Sequence, residues 1–210
     1  MRKLLCLLAL SVLVVPSARA DQSIAINFRG GAAKPWGDMV KGAHMSDNLS
    51  WGFPLQGDLA FRFTKQLGVG AYVRYAPLNL SDSAQNACNA HGRSCSTSDI
   101  GFGGLVEYRF GERLDGGGWL GASVGYEMLR FQGGTGSQSS TSTASGFEAG
   151  LQAGYDFTLA GITIGPFVHC DVGQFGKVKY EAGGQTTTSN ITDKAMHGWF
   201  GIGVRLGILI

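Results

Sequence analysis

The sequence predicts an all-β fold, an eight-stranded antiparallel up-and-down transmembrane β-barrel. Three observations lead to this prediction. Apolar and polar residues alternate with a period of two along eight segments. No apolar run of about 18 residues follows residue 20, so no helical membrane span is indicated. Short and long connections alternate between the segments, and closure of the eight strands into a barrel removes the two edges of an open sheet.

The first 20 residues predict a secretory signal peptide that is cleaved from the mature chain. Arg2 and Lys3 precede an apolar run over residues 4–15, and Ala18-Arg19-Ala20 supplies a small-residue cleavage site. The apolar run is well short of the roughly 20 residues that a spanning helix needs. Residues 21–210 are therefore expected to form one barrel domain.

Each of the eight segments has one apolar face. In chain order, with representative residues of that face, they are 23–31 (Ile24, Ile26, Phe28), 51–63 (Phe53, Leu59, Phe61), 67–76 (Val69, Ala71, Val73), 99–110 (Ile100, Phe102, Val106), 119–131 (Leu120, Ala122, Val124), 146–158 (Ala149, Leu151, Ala153), 162–174 (Ile164, Val168, Val172) and 197–210 (Ile202, Val204, Leu206). A tilted membrane strand needs about 9 to 11 residues, and the segments reach that length. The last segment is expected to pair with the first and so close the barrel.

The opposite face of the segments carries glycine and charges of both signs, which suits a narrow barrel interior. The predicted interior polar network consists of Arg29, Asp58, Arg62, Arg74, Glu107, Arg109, Glu127, Glu148, Asp156, His169, Asp171 and Arg205. Lysine is almost absent from this face, and the planar fork of arginine pairs with carboxylates in tight sites. The 34 glycines are about twice the average usage and leave room for these large groups.

The uncharged face is expected to contact lipid, because a surface in hydrocarbon cannot carry unsatisfied polar groups. The alternative is a soluble barrel with the faces inverted, in which the apolar side encloses a ligand. In that case long charged side chains would dominate the polar side, with little need for glycine. The glycine-rich polar face therefore favours the membrane barrel.

Aromatic residues near the segment ends predict two girdles, one at each membrane interface. The girdle beside the short connections is predicted to contain Phe63, Tyr108, Phe110, Trp119, Tyr155 and Phe157. The girdle beside the long connections is predicted to contain Trp51, Tyr75, Phe147 and Phe200. The long connections are expected to be loops at residues 33–50, 77–98, 132–145 and 176–195, of which the Gly/Ser/Thr-rich stretches should be mobile.

The second long connection contains Cys88 and Cys95, which are predicted to form a disulfide because an exported chain matures in an oxidising compartment. A metal site is the alternative, since His91 completes a C-x2-H-x3-C pattern, although a fourth ligand is missing nearby. Cys170 would then be an unpaired, lipid-facing thiol that acts as a small hydrophobe. No cofactor is expected.

The arrangement resembles the small bacterial outer-membrane barrels, the group that contains OmpX, Ail and the membrane domain of OmpA. The resemblance extends from Ile24 to Ile210 and lies in architecture and patterning. It implies a Gram-negative outer-membrane protein with both termini in the periplasm. Its expected partners are outer-membrane lipid, lipopolysaccharide and the barrel-assembly machinery. Members of this group usually end in an aromatic residue, whereas Ile210 ends this chain.

The expected role is non-enzymatic, with four surface loops for structural, adhesion or binding roles toward an extracellular ligand. A narrow channel is the second hypothesis, although eight-stranded barrels are just wide enough for side chains to fill. A lipid A-modifying enzyme is the third, because Ser123, His169 and Asp171 could form a hydrolytic set. Barrel deacylases that resemble PagL use a lipid-facing His-x-Ser pair, whereas this chain has His169-Cys170-Asp171, with His169 expected to face inward. Without the signal peptide the chain is nearly neutral, so no nucleic-acid partner is expected.

Overall fold

A computed structural model describes residues 23–90, 92–110, 116–135 and 138–210. The strands are β1 (Ser23–Val40), β2 (Ala43–His44), β3 (Leu49–Gly52), β4 (Leu55–Arg62), β5 (Leu67–Leu80), β6 (Ser94–Arg109), β7 (Gly117–Thr135), β8 (Gln138–Leu159), β9 (Ile162–Ala182), β10 (Gln185–Asn190) and β11 (His197–Leu209). The helices are α1 (Met45–Asn48) and α2 (Asp82–Ala90). Neither of these helices is long and apolar enough to cross a membrane. The predicted signal peptide, residues 1–20, lies outside the described residues.

Eight of the strands form a closed antiparallel ring in the order β1, β4, β5, β6, β7, β8, β9 and β11. The ring closes between β11 and β1, which are paired from Ala25 opposite Leu209 to Gly37 opposite His197. Ile24 and Ile210 also exchange two backbone hydrogen bonds of 2.9 and 2.8 Å. The predicted eight-stranded up-and-down barrel, and its closure by the last segment, are confirmed.

Several strands extend beyond the predicted segments on the side of the long connections. Residues 132–145 belong almost entirely to the β7–β8 hairpin, and β9 continues to Ala182 before β10 pairs back along it. The prediction that these stretches are loops was wrong for residues 132–135, 138–145 and 185–190, which are strands. Threonine favours extended backbone, and the register gives residues 140–145 of β8 partners on both β7 and β9, while β10 pairs with β9. We call this extension of the sheet, together with α1 and α2, the rim.

The outward face of the ring is apolar over its middle, as predicted. Large side chains such as Val124 and Leu151 are 67% and 68% exposed there. Aromatic pairs lie beside the short connections, among them Tyr108 with Phe110 and Tyr155 with Phe157, with ring centroids 5.4 and 4.9 Å apart. Further exposed aromatic residues lie toward the rim, namely Trp51, Tyr75, Phe147 and Phe200. An uncharged band between two aromatic belts is the surface that a bilayer requires.

The assignment of Trp119 to the girdle beside the short connections was wrong. Trp119 is 1% exposed and points into the barrel, whereas its neighbour Leu120 is 50% exposed and faces outward. Successive residues of a strand point to opposite faces, so both cannot lie on the lipid side. The indole of Trp119 is retained inside because its Nε1 donates a hydrogen bond of 3.1 Å to Oδ1 of Asp156.

Candidate functional site

The barrel interior contains every residue of the predicted polar network. The eleven charged residues other than His169 are buried, and the His169 side chain is 11% exposed. Together with Asp99 and His197, which are also buried, they separate into two clusters along the bore. The lower cluster, beside the short connections, consists of Arg29, Asp58, Arg62, Glu107, Arg109, Asp156 and Arg205. The upper cluster consists of Arg74, Asp99, Glu127, Glu148, His169, Asp171 and His197.

Glu107 lies at the centre of the lower cluster. Its Oε2 is 2.7 Å from Nη1 of Arg205, and its Oε1 accepts a hydrogen bond of 2.9 Å from Nε of Arg109. Arg109 reaches onward to Asp156, where the Nη2 to Oδ2 distance is 2.7 Å. The ion pairs therefore connect β6, β8 and β11 across the bore, which locks three separate strands together.

Two guanidinium groups lie against the ring of Trp119 in the same cluster. The Cζ atoms of Arg205 and Arg29 are 4.4 and 5.0 Å from the ring centroid. Arg29 is held in turn by Asp58, with 2.7 Å between Nε and Oδ2. Cations over an indole face are attracted by the ring quadrupole, and more strongly where water is excluded. The lower cluster is thus both ion-paired and packed around an aromatic ring.

Arg74 is the central cation of the upper cluster. Its Nη2 bonds Oε2 of Glu148 at 2.6 Å and Oδ2 of Asp99 at 3.2 Å, and its Nη1 bonds Oδ2 of Asp171 at 3.2 Å. The hydroxyl of Tyr72 donates a further hydrogen bond of 2.7 Å to Oε1 of Glu148. One forked guanidinium therefore joins carboxylates from three strands, a geometry that the point charge of lysine cannot reproduce.

Glu127 completes the upper cluster with partners that the sequence prediction missed. Its Oε2 lies 2.8 Å from Nε2 of His197, and its Oε1 accepts a hydrogen bond of 2.8 Å from Nε1 of Trp199. The His197 ring stacks on Phe175 with centroids 3.9 Å apart. The strand period could have identified these residues. His197 and Trp199 share the odd-numbered, inward positions of Arg205, and Asp99 shares those of Glu107.

Glycine on the inward face makes room for the ion pairs. A Cβ at Gly150 would lie 2.1 Å from Oδ1 of Asp171, and one at Gly101 would lie 2.9 Å from Oε1 of Glu148. A larger residue at either position would displace a carboxylate that Arg74 binds. The high glycine content therefore has the cause that the sequence indicated, namely space for large charged side chains in a narrow bore.

The rim end of the bore is closed by apolar side chains. We call this cluster the apolar plug; its buried members are Ala33, Met45, Leu49, Ala76, Leu78, Leu129, Phe175 and Trp199. Met45 comes from α1, which folds into the mouth of the barrel. Two cavities beside the upper cluster measure only about 20 and 10 Å³. A single water needs about 10–15 Å³, so each cavity holds at most a water or so.

The hydrolytic set considered from the sequence is only partly assembled. Nδ1 of His169 lies 2.8 Å from Oδ2 of Asp171, as an acid–base pair would. Nε2 of His169, the atom that would accept a proton from Ser123, instead faces β11, because a Cβ at Gly201 would lie 2.1 Å from it. The small cavity that all three residues line is about 20 Å³. An acyl chain does not fit there.

The rim encloses a wide cavity open to the outside, which we call the rim cup. It measures about 960 Å³, and its walls are mainly small and hydroxyl-bearing residues of β7, β8, β9 and β10. A second cavity of about 240 Å³ shares Gly133, Ser140 and Tyr180 with it and reaches down to Leu80 and Phe131. Small-molecule sites commonly occupy about 300–1,000 Å³. The rim cup is of this size, but its lining is mainly polar, and apolar side chains line only the adjoining smaller cavity.

Cys88 and Cys95 form the predicted disulfide, which ties the end of α2 to the start of β6. His91, the third residue of the alternative metal pattern, lies outside the described residues. Within the described ranges, no group of three or more His, Cys, Asp or Glu residues is arranged to hold a metal ion. Cys170 is unpaired and exposed on the outer face of the barrel.

A closed eight-stranded ring with an uncharged outer band, two aromatic belts and a polar filled interior defines an integral outer-membrane β-barrel protein. The family model described as the autotransporter beta-domain matches residues 26–208. The chain belongs to this family. No curated protein matches it in sequence.

The solved structures that this chain is similar to are outer-membrane proteins. A major outer membrane protein from Thermus thermophilus aligns over 87% of this chain and 99% of its own, with 13% identity and a TM-score of 0.55. The outer membrane protein AlkL aligns over 93% and 94%, with 16% identity and a TM-score of 0.51. Ail of Yersinia pestis aligns over 88% and 97%, with 14% identity and a TM-score of 0.46. The resemblance to small outer-membrane barrels is confirmed, as is the outer-membrane location.

Proposed function

We propose that this protein is a non-enzymatic outer-membrane barrel that presents its rim for adhesion or for binding an extracellular ligand. The observation that carries the proposal is the contrast between the two parts of the molecule. The bore is filled by ion pairs and closed by the apolar plug, whereas the rim cup is open and about 960 Å³ in volume. A ligand from outside can therefore reach the rim cup but not the membrane-spanning interior.

The same proposal includes the orientation of the barrel in the membrane and its partners there. Outer-membrane barrels have short periplasmic turns and longer extracellular connections. The short connections of this chain lie at the same end as Ser23 and Leu209, so both termini are assigned to the periplasm and the rim to the outside. The partners in the membrane are then phospholipid, lipopolysaccharide of the outer leaflet and, during biogenesis, the barrel-assembly machinery.

A non-enzymatic role is supported by the interior. Nε2 of His169 faces away from Ser123, and the cavity beside them holds about one water. General-base catalysis needs the base within hydrogen-bond reach of the nucleophile, and a substrate needs room beside both. The His169–Asp171 pair is better explained as part of the ion-pair network around Arg74.

The rim proposal is tested by shortening the β7–β8 hairpin. Phe131 and Ser142 lie directly opposite each other, so residues 132–141 can be replaced by the two-residue turn Asn-Gly without changing the register of the ring. Cells that display the full chain are expected to adhere to plates coated with basement-membrane extract. Cells that display the shortened variant should lose most of that adhesion.

Two controls make the adhesion result decisive. The shortened variant must still show the heat-modifiable gel mobility of a folded barrel. A second variant, Ile164→Ala on the lipid-facing side of β9, should adhere like the full chain, because Ile164 lies far from the rim. Equal adhesion by the shortened variant and the full chain would contradict the proposal.

The filled bore also predicts that the purified protein gives no discrete conductance steps in planar bilayers. The reason is that the ion pairs of Glu107 and the apolar plug obstruct the path at two levels. Discrete steps in the wild type that are abolished by Arg205→Ala or Glu107→Ala would instead support the channel hypothesis. Recordings with an empty detergent preparation serve as the control.

A further inference from the structure

Exposed cations form a cluster on the outward face of the rim. The register places Arg130 of β7 opposite Thr143 of β8, and Thr143 opposite Lys179 of β9. One step closer to the membrane, Ser145 of β8 lies opposite Lys177 of β9. All three basic side chains are exposed. We call Arg130, Lys177 and Lys179 the basic ladder.

The spacing of the basic ladder allows its members to act on one small anion. Neighbouring strands lie about 4.8 Å apart, so the Cα atoms of Arg130 and Lys179 are separated by about 10 Å. Lys177 and Lys179 are two residues apart on one face of β9, which is about 7 Å. Long, flexible side chains at these distances can converge on a single phosphate. Thr143 and Ser145 supply hydroxyl donors between them.

The depth of the basic ladder is fixed by the aromatic belt below it. Phe147 belongs to the belt on the rim side, and its ring packs edge-on against Tyr126 with centroids 5.6 Å apart. Along β8, Ser145 and Thr143 lie two and four residues above Phe147. For a strand tilted by about 40°, this places the ladder about 5–10 Å above the belt. Aromatic belts mark the headgroup level, so the ladder faces the headgroups.

The charges of the ladder are only partly neutralised within the protein. Nζ of Lys179 lies 2.8 Å from Oε1 of Glu181, and this ammonium holds the pKa of the Glu181 carboxyl below its ordinary value. The three residues of the basic ladder and Glu181 together still carry two net positive charges. Charged side chains are costly in hydrocarbon, so this surface lies above the acyl chains. It is complementary to the phosphate groups of an anionic outer leaflet.

We propose that the basic ladder is a binding site for the phosphate groups of lipopolysaccharide. The assignment rests on the proposed orientation, in which the rim is extracellular, and it is independent of any ligand of the rim cup. Arg130 and Lys177 bind the phosphate by charge-assisted hydrogen bonds, while Lys179 exchanges part of its pairing with Glu181 for the same group. The lipid would thereby be anchored beside β7, β8 and β9.

The test uses the refolded mature chain and purified rough-type lipopolysaccharide as the probe. The triple variant Arg130→Gln/Lys177→Gln/Lys179→Gln is expected to bind it about 10- to 100-fold more weakly than the wild type, because three cations that attract the anionic lipid are removed. Removal of the phosphates from the lipopolysaccharide should weaken its binding to the wild type to a similar extent. Both losses should shrink as salt is raised.

The matched control is Lys65→Gln, which removes an exposed charge at the opposite end of the barrel. This variant should bind lipopolysaccharide like the wild type. Undiminished binding by the triple variant, or by the wild type to dephosphorylated lipid, would overturn the site. Loss of binding on Lys65→Gln alone would also overturn the proposed site, because it would place the lipopolysaccharide at the end of the barrel opposite the rim. Adhesion through the rim is measured on the same triple variant, and its retention separates failure of this site from failure of the proposed function.

Discussion

Arg74→Ala is expected to lower the free energy of unfolding by about 3–5 kcal/mol, the usual cost of removing one partner from a buried ion pair. Arg74 is buried and its guanidinium bonds Glu148, Asp99 and Asp171. Without it, these three carboxylates would face one another and Glu127 in a narrow bore. The measurement is urea unfolding of the refolded barrel in detergent, followed by tryptophan fluorescence and by the heat-modifiable gel shift.

Two further variants show whether this cost comes from the forked geometry of Arg74. Arg74→Lys keeps the charge but offers a single ammonium, so we expect a loss between those of the wild type and Arg74→Ala. Arg130→Ala removes an exposed arginine from the rim and should change the free energy of unfolding by less than about 0.5 kcal/mol. If Arg74→Ala behaves like Arg130→Ala, the upper cluster is not a structural network.

The barrel could be predicted from the sequence because one physical constraint acts on every second residue. A strand in hydrocarbon must have an apolar outer side. Its inner side faces a bore that is so narrow that side chains fill it. Period-two alternation therefore identified both the strands and the inward charges, from Arg29 to Arg205. The same parity also contained Asp99 and His197, whose roles became evident only once the strands were assembled.

The rim could not be predicted in the same way, because its structure depends on distant partners. Residues 132–145 are rich in Gly, Ser and Thr, a composition typical of loops. They are strands because β9 continues alongside β8 as far as Ala182 and supplies backbone partners. The apolar plug is similarly non-local. Met45, Leu129 and Phe175 come from three separate regions and form no periodic pattern that would bring them together.

Trp119 shows where two valid indications from a sequence conflict. Its position near the end of a strand suggested an interfacial girdle, where tryptophan is common. Its place in the alternation, next to the outward-facing Leu120, predicted that its side chain points into the barrel. In the structure the parity prevails, because Asp156 accepts a hydrogen bond from the indole and the guanidinium groups of Arg205 and Arg29 cover its ring. Alternation along a strand is thus the stronger guide when the interior offers polar partners.

The interior position of Trp119 makes its replacement the second change with a large expected effect. Trp119→Ala should lower the free energy of unfolding by about 3–5 kcal/mol, the range for deleting a large buried aromatic side chain. It would leave a cavity beside Arg29 and Arg205 and remove the indole donor that bonds Asp156. Trp119→Phe keeps most of the ring but loses Nε1, so we expect a loss of about 1–3 kcal/mol.

Fluorescence separates this interior role from a role at the membrane interface. Trp51 is 48% exposed on the outer face, and its emission should be quenched by brominated lipid. Emission from Trp119 should be unaffected, because the barrel wall lies between it and the acyl chains. Single-tryptophan variants, made by phenylalanine substitution of the other tryptophans, allow the comparison. Strong quenching of Trp119 together with a stability change below about 0.5 kcal/mol for Trp119→Phe would return this residue to the lipid-facing girdle and remove the aromatic centre of the lower cluster.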